Sequence, residues 1–218
     1  VPTGSMAPGK GFFVGFDALS PEVSFVGTPN SGTITIPVFD TGDAFNIVAN
    51  PYTAAISRSD FITANSATID GNIWLWDDGG SNVGSSRGGD YILVNNMGTV
   101  SAVELGDGVS GQKGSSAFNG NIGSMQGFLV NVTTAGPVTF NTNMIDQTVG
   151  GNSDGNFFRQ QEEDEIQSIK LSLSGNDLYN ELLVGFHKHA TVGKDFALDG
   201  FKGRTNLLSF RERSGSIW

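Results

Sequence analysis

The sequence predicts an all-β protein with a β-sandwich or jelly-roll-like architecture and very little helix. Glycine accounts for 31 of the 218 residues while charged residues make up only 16%, which favours short strands joined by tight turns over salt-bridged helices. Short runs of β-branched and aromatic residues recur between clusters of Gly, Asn, Pro and Asp. The 38% of hydrophobic residues, with 16 Phe among them, is enough for a sizeable core.

A Gly-Phe fragment that occurs twice predicts two β-hairpins. The first copy, residues 11–16, is followed by a β-type run at 23–26. The second copy begins at Gly127 and its return strand ends at Phe140. In each copy a glycine leads into aromatic and apolar side chains, then a loop, then a strand that ends in Phe. We expect both hairpins to deliver bulky side chains to the core.

Strands and one short helix are predicted between the two copies. Residues 33–38 alternate, so their isoleucines should face one side of a sheet. Residues 45–49 form a compact apolar strand that ends at Asn50-Pro51, where the Asn side chain should cap a structural turn. A polar start followed by apolar residues predicts a helix of one or two turns over 57–65.

The segment Ile-Asp-Gly-Asn-Ile-Trp-Leu-Trp at residues 69–76 predicts the most distinctive strand. Alternation places Trp74 and Trp76 on one face of this strand, and Ile73 and Leu75 on the other.

Three further apolar runs, at 91–94, 169–173 and 182–186, predict additional strands. Two Gly/Ser-rich segments, 79–89 and 104–124, predict long loops. If the protein recognises a ligand, we expect these variable loops to contribute.

The length suits one large sandwich unit over residues 1–218. An alternative division places a first sandwich at 1–150 and a second, smaller β part at 151–218. The sequence pattern is already under way at Val1. We therefore expect this sequence to be a piece of a longer chain, with neighbouring domains as its partners.

The net charge of −10 and the sequence pI near 4.4 exclude the usual nucleic-acid-binding classes, because no basic stripe is present to neutralise phosphates. No apolar run reaches the length of about 18 residues that a membrane-spanning helix needs, so we expect no membrane insertion. The chain has no cysteine, which excludes disulfides and thiolate chemistry.

An aromatic pair beside carboxylates forms the strongest candidate ligand site. Aromatic rings stack on the apolar faces of sugars, and carboxylates accept hydrogen bonds from sugar hydroxyls. The alternative is that both tryptophans belong to the core. The residues that we expect to bind a ligand are Trp74, Trp76, Asp77, Asp78, Asp90 and Tyr91.

A structural Ca²⁺ is the one cofactor that the sequence suggests, since clustered Asp and Asn oxygens supply its ligands. The candidate metal ligands are Asn152, Asp154 and Asn156, which alternate around Gly155. A second acidic set, Asp77, Asp78 and Asp90, overlaps the candidate ligand site. His187 and His189 could share a face, but without a third ligand at metal-site spacing we interpret them as a surface pair.

Catalytic motifs are scarce in this chain. It contains no Gly-x-Ser-x-Gly nucleophile elbow and no glycine-rich phosphate loop that leads into a helix. We therefore expect that the protein is not an enzyme.

Several fragments, in order over roughly residues 8–200, resemble a β-rich region of large secreted Bacteroidetes proteins. In those proteins the region lies shortly upstream of the C-terminal sorting domain of the type IX secretion system. The most specific fragments are Asn50-Pro51-Tyr52 and residues 69–77, Ile-Asp-Gly-Asn-Ile-Trp-Leu-Trp-Asp. The others are residues 8–14, 23–25, 31–34, 45–49, 127–130, 138–141, 157–159 and 182–186.

The resemblance implies an exported, cell-surface β-rich module and supplies no catalytic residues. On this basis we expect a non-catalytic extracellular module that acts in adhesion or in binding a surface glycan. Two alternatives remain: a structural spacer that presents neighbouring domains, and, as a third hypothesis, a polysaccharide-active enzyme domain.

Overall fold

The computed structural model describes residues 6–13, 26–76, 91–101, 120–145, 167–175 and 178–200. Antiparallel strands dominate this part of the chain, in a sandwich-like arrangement, and the predicted all-β class is confirmed. The elements are β1 Ile34–Val38, β2 Phe45–Ala49, β3 Ile56–Ser57, α1 Arg58–Ala64, β4 Ile69–Trp76, β5 Tyr91–Asn95, β6 Gly98–Ser101, β7 Asn121–Ile122, β8 Gly127–Val132, β9 Gly136–Phe140, a 3-10 turn Thr142–Met144, β10 Gln167–Gly175 and β11 Leu178–Phe186.

The largest sheet has five strands in the order β2-β8-β4-β5-β6, and all its neighbours are antiparallel. Ile73 lies at its centre, opposite Val130 of β8 on one side and Val94 of β5 on the other. All three side chains are fully buried. The inner face of this sheet is therefore one wall of the core.

The opposite wall is built from the pair β1-β9, the short pair β3-β7 and helix α1. Phe61 of α1 packs between the two sheets, with its ring centroid 5.1 Å from that of Phe128 in β8 and 5.1 Å from that of Phe140 in β9. Strand β7 lies inside the segment 104–124 that was predicted as loop, so that prediction is wrong for residues 121–122.

Helix α1 agrees with its prediction because its cap and its apolar face were both visible in the sequence. The Ser57 hydroxyl accepts a hydrogen bond from the Asp60 amide (3.2 Å), and Phe61 and Ile62 are fully buried. The buried Asn65 amide then donates to the Phe61 carbonyl (2.8 Å) and to the Thr139 carbonyl (3.0 Å). The end of the helix is thus tied to β9.

The predicted hairpin over 127–140 is wrong. Strand β8 pairs with β2 and β4, whereas β9 pairs with β1 in the other layer. The connection is therefore an arch that crosses from one layer to the other. The expected delivery of bulky side chains does occur, since Phe128 and Phe140 are both buried, but they reach the core from opposite walls.

The first Gly-Phe copy also differs from its prediction. Residues 14–25 of the expected hairpin lie outside the described residues, and the part before them pairs elsewhere: Lys10 bridges Val48, and the Gly11 amide donates to the Ile47 carbonyl (3.2 Å). Phe12 and Phe13 are 45% and 63% exposed, so neither is delivered to the core.

A bulge in β4 allows a C-terminal segment to lie on the outer face of the five-stranded sheet. The register of β4 against β8 shifts between Ile69 and Ile73, and Gly71 within this interval has φ +84°. A Cβ on Gly71 would lie 2.5 Å from the backbone nitrogen of Ala197. Residues 191–200, which we call the strap, can approach the sheet because position 71 is glycine.

The strap is held by polar contacts to buried side chains of the sheet. Asp70, in β4, pairs with Lys194 at 3.4 Å. The Asn72 amide donates to the Asp199 carbonyl (3.2 Å), and the Asn95 amide donates to the Leu198 carbonyl (3.2 Å) and to the Asn72 side-chain oxygen (3.1 Å). These contacts join strands β4 and β5 to a segment more than a hundred residues further along the chain.

Strands β10 and β11 form a separate two-stranded ribbon with a continuous register from Gln167–Phe186 to Gly175–Leu178. The main core cluster draws on residues 36–144 and on Ala197, and the ribbon lies outside it. The ribbon contacts the sheet at β6. Whether the chain divides near residue 150 stays a prediction.

Candidate functional site

The outer face of β4 carries both tryptophans, as the alternation predicted, but the structure gives them different roles. Trp74 is only 6% exposed, because Leu129 and Leu93 flank it on the neighbouring strands and Phe45 packs edge-to-face on it at 5.0 Å. A ring covered in this way is a packing residue. The burial of Trp74 favours the alternative that this tryptophan belongs to the core.

Trp76 is the accessible member of the pair, with 40% of its surface exposed. It lies at the last position of β4, opposite Tyr91 at the first position of β5. The two ring centroids are 4.9 Å apart and the rings are nearly perpendicular. Phe13 adds a third ring, with its centroid 6.1 Å from that of Trp76. We call Phe13, Trp76 and Tyr91 the aromatic platform.

The platform suits a ligand with an apolar face. Edge-to-face neighbours hold the Trp76 ring in one orientation, so binding would cost little side-chain entropy. The indole N–H and the tyrosine O–H add polar groups at the edge of an apolar surface. This combination of a flat apolar surface and peripheral hydrogen-bonding groups matches a sugar ring.

The predicted carboxylates cannot be placed against the platform. Asp77 and Asp78 directly follow Trp76, and Asp90 directly precedes Tyr91, but all three lie outside the described residues. Among the predicted ligand residues, the structure brings together Trp76 and Tyr91.

Sequence reasoning missed Phe13, because the Gly-Phe-Phe-Val run was assigned to a core hairpin. A signal was available. Adjacent residues on an extended segment point to opposite sides, so Phe12 and Phe13 could not both enter the core.

The Asn50-Pro51-Tyr52 segment is a structural turn, as predicted. The buried Asn50 amide donates to the carbonyls of Ala54 (2.8 Å), Ile122 (3.2 Å) and Gly123 (2.9 Å), and its oxygen accepts from the Tyr52 amide (3.0 Å). The Tyr52 hydroxyl donates to the Gly32 carbonyl (2.6 Å), and burial raises the pKa of Tyr52 above 10.0. The Asn50 amide and the Tyr52 hydroxyl are therefore engaged within the fold.

A groove of about 370 Å³ lies beside this turn. Its walls are mostly apolar side chains and backbone, among them Met6, Pro8, Pro29, Pro51 and Met125. Among the described residues that line it, Lys10 is the ionisable one.

The candidate calcium ligands Asn152, Asp154 and Asn156 lie outside the described residues. Within the described ranges, no group of three or more His, Asp or Glu side chains is placed to hold a metal ion. Calcium binding therefore stays a prediction.

His187 and His189 lie just beyond the end of β11. Their ring centroids are 5.4 Å apart, and the His189 amide donates to Nδ1 of His187 (3.2 Å). The hydrogen bond stabilises a local turn near the surface, in agreement with the predicted surface pair.

Two hydrogen bonds from Thr191 lower the pKa of Asp195. The Thr191 hydroxyl donates to one of its carboxylate oxygens (2.7 Å) and the Thr191 amide to the other (2.6 Å). Both hydrogen bonds favour the ionised form, so they hold the pKa of Asp195 below 3.8. This interaction closes the turn at the start of the strap.

Over the residues that the structure covers, no helix is both long and apolar enough to cross a membrane.

Comparison with known proteins identifies the family but no characterised relative. Neither the search of curated proteins nor the search of solved structures found a match. A family model described as a domain of unknown function, DUF8693, matches residues 1–214. With nearly the whole chain matched, this protein belongs to the DUF8693 family.

Proposed function

We propose that this chain is a non-catalytic module of an exported bacterial surface protein that binds glycans through the aromatic platform. The observation that carries the proposal is the 40% exposure of Trp76 at a strand end, braced by Tyr91 and Phe13. Export and surface location rest on the family resemblance of the sequence. An acidic chain without cysteine is compatible with that location.

The arrangement of the three rings favours a ligand over simple packing. Burying the exposed part of an indole ring would stabilise the fold, so a folded protein that leaves Trp76 and Phe13 accessible side by side forgoes that stabilisation. Adjacent exposed aromatic side chains often mark a binding surface. A sugar is the ligand class that such rings and the neighbouring aspartates in the sequence would recognise.

A glycan array provides the direct test, and Trp76→Ala is the informative variant. We expect the parent to bind a subset of glycans and the variant to lose at least tenfold in apparent affinity. Trp76→Phe should retain part of the binding, because a ring remains for stacking.

Phe39→Ala is the matched control. Phe39 is 57% exposed but follows β1 in the opposite layer, so its removal should leave glycan binding unchanged. Equal binding by the parent and by Trp76→Ala would overturn the platform. If the parent binds no glycan at all, the spacer hypothesis takes its place.

A further inference from the structure

The aromatic platform and the groove lie at the same end of the five-stranded sheet. Trp76 is the last residue of β4 and Tyr91 is the first of β5. On the other side of β4, Gly127 begins β8 and Ala49 ends β2. Ala49 is also part of the groove lining. The groove therefore begins two strands away from the platform.

The strand register places these residues in one row. Trp74 lies opposite Leu129, so continuing this antiparallel register by two residues puts Trp76 opposite Gly127. Gly127 lies in turn opposite Ala49. Residues opposite one another on neighbouring strands share a face of the sheet, so this row runs across the outer face. Neighbouring strands are about 4.8 Å apart, which puts the backbone of Ala49 about 10 Å from that of Trp76.

The surface between the platform and the groove is low, because a glycine occupies it. Gly127 is exposed. Within the described part of the chain, the one atom within 4 Å of a Cβ built on Gly127 is the Val48 carbonyl oxygen, at 3.8 Å. The corresponding position beside Trp74 is filled by Leu129. We call Gly127 and Ala49 the floor, and it connects the platform with the groove.

The groove adds hydrogen-bonding side chains at the far end of the floor. Thr28 and Thr53 line it and are exposed, and each hydroxyl can both donate and accept. Lys10, also exposed, brings an ammonium group with several N–H donors. Apolar side chains lie between these polar groups, so the groove combines the two kinds of contact that a sugar ring makes.

We propose that the platform, the floor and the groove form one cleft that binds a linear β-1,4-linked oligosaccharide lengthwise. This inference rests on the proposed glycan-binding function and names the class of its ligand. One sugar stacks on Trp76, the chain passes over the floor, and a later sugar accepts a hydrogen bond from Lys10. A single sugar ring cannot span the distance of about 10 Å, so the full site needs a chain of several sugars.

The shape of the row favours an extended chain. The row from Trp76 to Ala49 crosses the strands in the direction of their hydrogen bonds, so it is nearly straight. A β-1,4-linked chain of sugars is extended and presents flat ring faces along its length. An α-1,4-linked chain curves into a helix and would leave the floor after one or two sugars. Linkage is therefore a property that this cleft would select.

The test is isothermal titration calorimetry of the full chain with β-1,4-linked oligosaccharides of glucose, mannose and N-acetylglucosamine, from the monomer to the hexamer. We expect the affinity for at least one series to rise about tenfold from the disaccharide to the tetrasaccharide, since the longer chain reaches the groove. The rise should end once the cleft is filled. The α-1,4-linked oligosaccharides of glucose should show no such rise.

Gly127→Val is the variant that blocks the floor. A valine side chain would stand in the path of the chain, so the gain from disaccharide to tetrasaccharide should disappear. The matched control is Gly136→Val. Gly136 begins β9 in the opposite layer, and a Cβ built there would meet its neighbours at ordinary distances of 3.7 and 3.9 Å. This control should keep the full gain, and circular dichroism checks that both variants are folded.

Lys10→Met tests the groove end of the cleft. It should weaken tetrasaccharide binding several-fold and leave disaccharide binding unchanged, because only the longer chain reaches the ammonium group. Lys188→Met, at an exposed position after β11, should change neither affinity.

A tetrasaccharide that binds no better than the disaccharide would overturn the single cleft, and so would an unchanged gain in Gly127→Val. In both cases glycan binding that depends on Trp76 would still support the proposed function. If no member of the three β-1,4-linked series binds, this inference fails, and the glycan array decides separately whether the proposed function stands.

Discussion

Trp74 and Trp76 point to the same face of β4, yet one is 6% and the other 40% exposed. Trp74 lies in the middle of the sheet, between Leu129 and Leu93 on the neighbouring strands. Trp76, two residues later, lies at the end of β4 beside Tyr91. The two positions should therefore respond differently to the same substitution.

Trp74→Ala should lower the free energy of unfolding by about 3 to 5 kcal/mol, since it leaves a cavity beside Phe45. Trp76→Ala should cost about 1 kcal/mol or less, because its ring is already partly hydrated. Urea unfolding monitored by circular dichroism measures both values. Similar costs at the two positions would contradict the assigned roles.

Gly71→Ala should destabilise the fold by about 2 to 4 kcal/mol, because a methyl group would collide with the Ala197 backbone in addition to straining a positive φ. Gly32→Ala is the matched control: its φ is +76°, but nothing lies within 4 Å of an added Cβ. It should cost only about 1 kcal/mol. Thermal unfolding of the two variants separates the effect of the steric collision from that of backbone strain. Equal losses of stability in Gly71→Ala and Gly32→Ala would argue against a close approach of the strap.

Lys194→Met should destabilise the fold by about 1 to 2 kcal/mol by removing the cation paired with the buried carboxylate of Asp70. The value lies below that of a fully buried pair because the Lys194 side chain is 60% exposed. Lys188→Met, at an exposed position outside the strap, should have little effect. In an Asp70→Asn background the Lys194→Met loss should largely disappear, and full additivity in this double-mutant cycle would refute the pairing.

The hydrogen bonds from Thr191 predict a pH-dependent contribution from Asp195. Because the folded-state pKa of Asp195 is lowered, its stabilising effect is fully present above the ordinary value of 3.8 and is lost as the pH falls through the lower folded pKa. Thr191→Val removes the hydroxyl donor, so the melting temperatures of parent and variant should differ more at pH 6 than at pH 2.5. Thr53→Val serves as an exposed control. A difference that does not change with pH would exclude this linkage.

Calcium binding predicts a metal-dependent stability. If Asn152, Asp154 and Asn156 hold Ca²⁺, a saturating concentration of calcium should raise the melting temperature by several degrees, and EDTA should reverse the rise. Asp154→Ala should abolish the response, whereas magnesium at equal ionic strength should not reproduce it. An unchanged melting temperature with calcium and with EDTA would end the hypothesis.

Local patterns predicted individual elements well. Alternation located β1 and β4, short apolar runs located β2 and β5, and the polar start before Phe61 located α1, since these signals depend on neighbours within a few residues. The Gly-Phe repeat failed as a hairpin because strand pairing depends on the whole sheet: β8 finds both its partners far away in sequence.

The candidate site could be predicted only in part, because some of its contacts are between neighbouring strands and others depend on residues far away in sequence. The pairing of Trp76 with Tyr91 follows from two strands joined by one loop. The burial of Trp74 depends on Phe45, 29 positions earlier in the sequence, and Phe13 reaches Trp76 from the beginning of the chain. The contacts of the ribbon and of the strap with the sheet join residues that are far apart in sequence, and no periodicity encodes them.

The arch between β8 and β9 has a consequence for how the chain is completed during synthesis. Strand β1 pairs with β9 about a hundred residues later, and β2 pairs with β8. The five-stranded layer therefore cannot close before Val132 has emerged from the ribosome, and the opposite layer cannot close before Phe140. Until then the backbone N–H and C=O groups of β1 and β2 lack their partner strands and can pair with strands of other nascent chains. Folding should therefore be slow and late, and truncations before Phe140 should aggregate instead of forming half a protein.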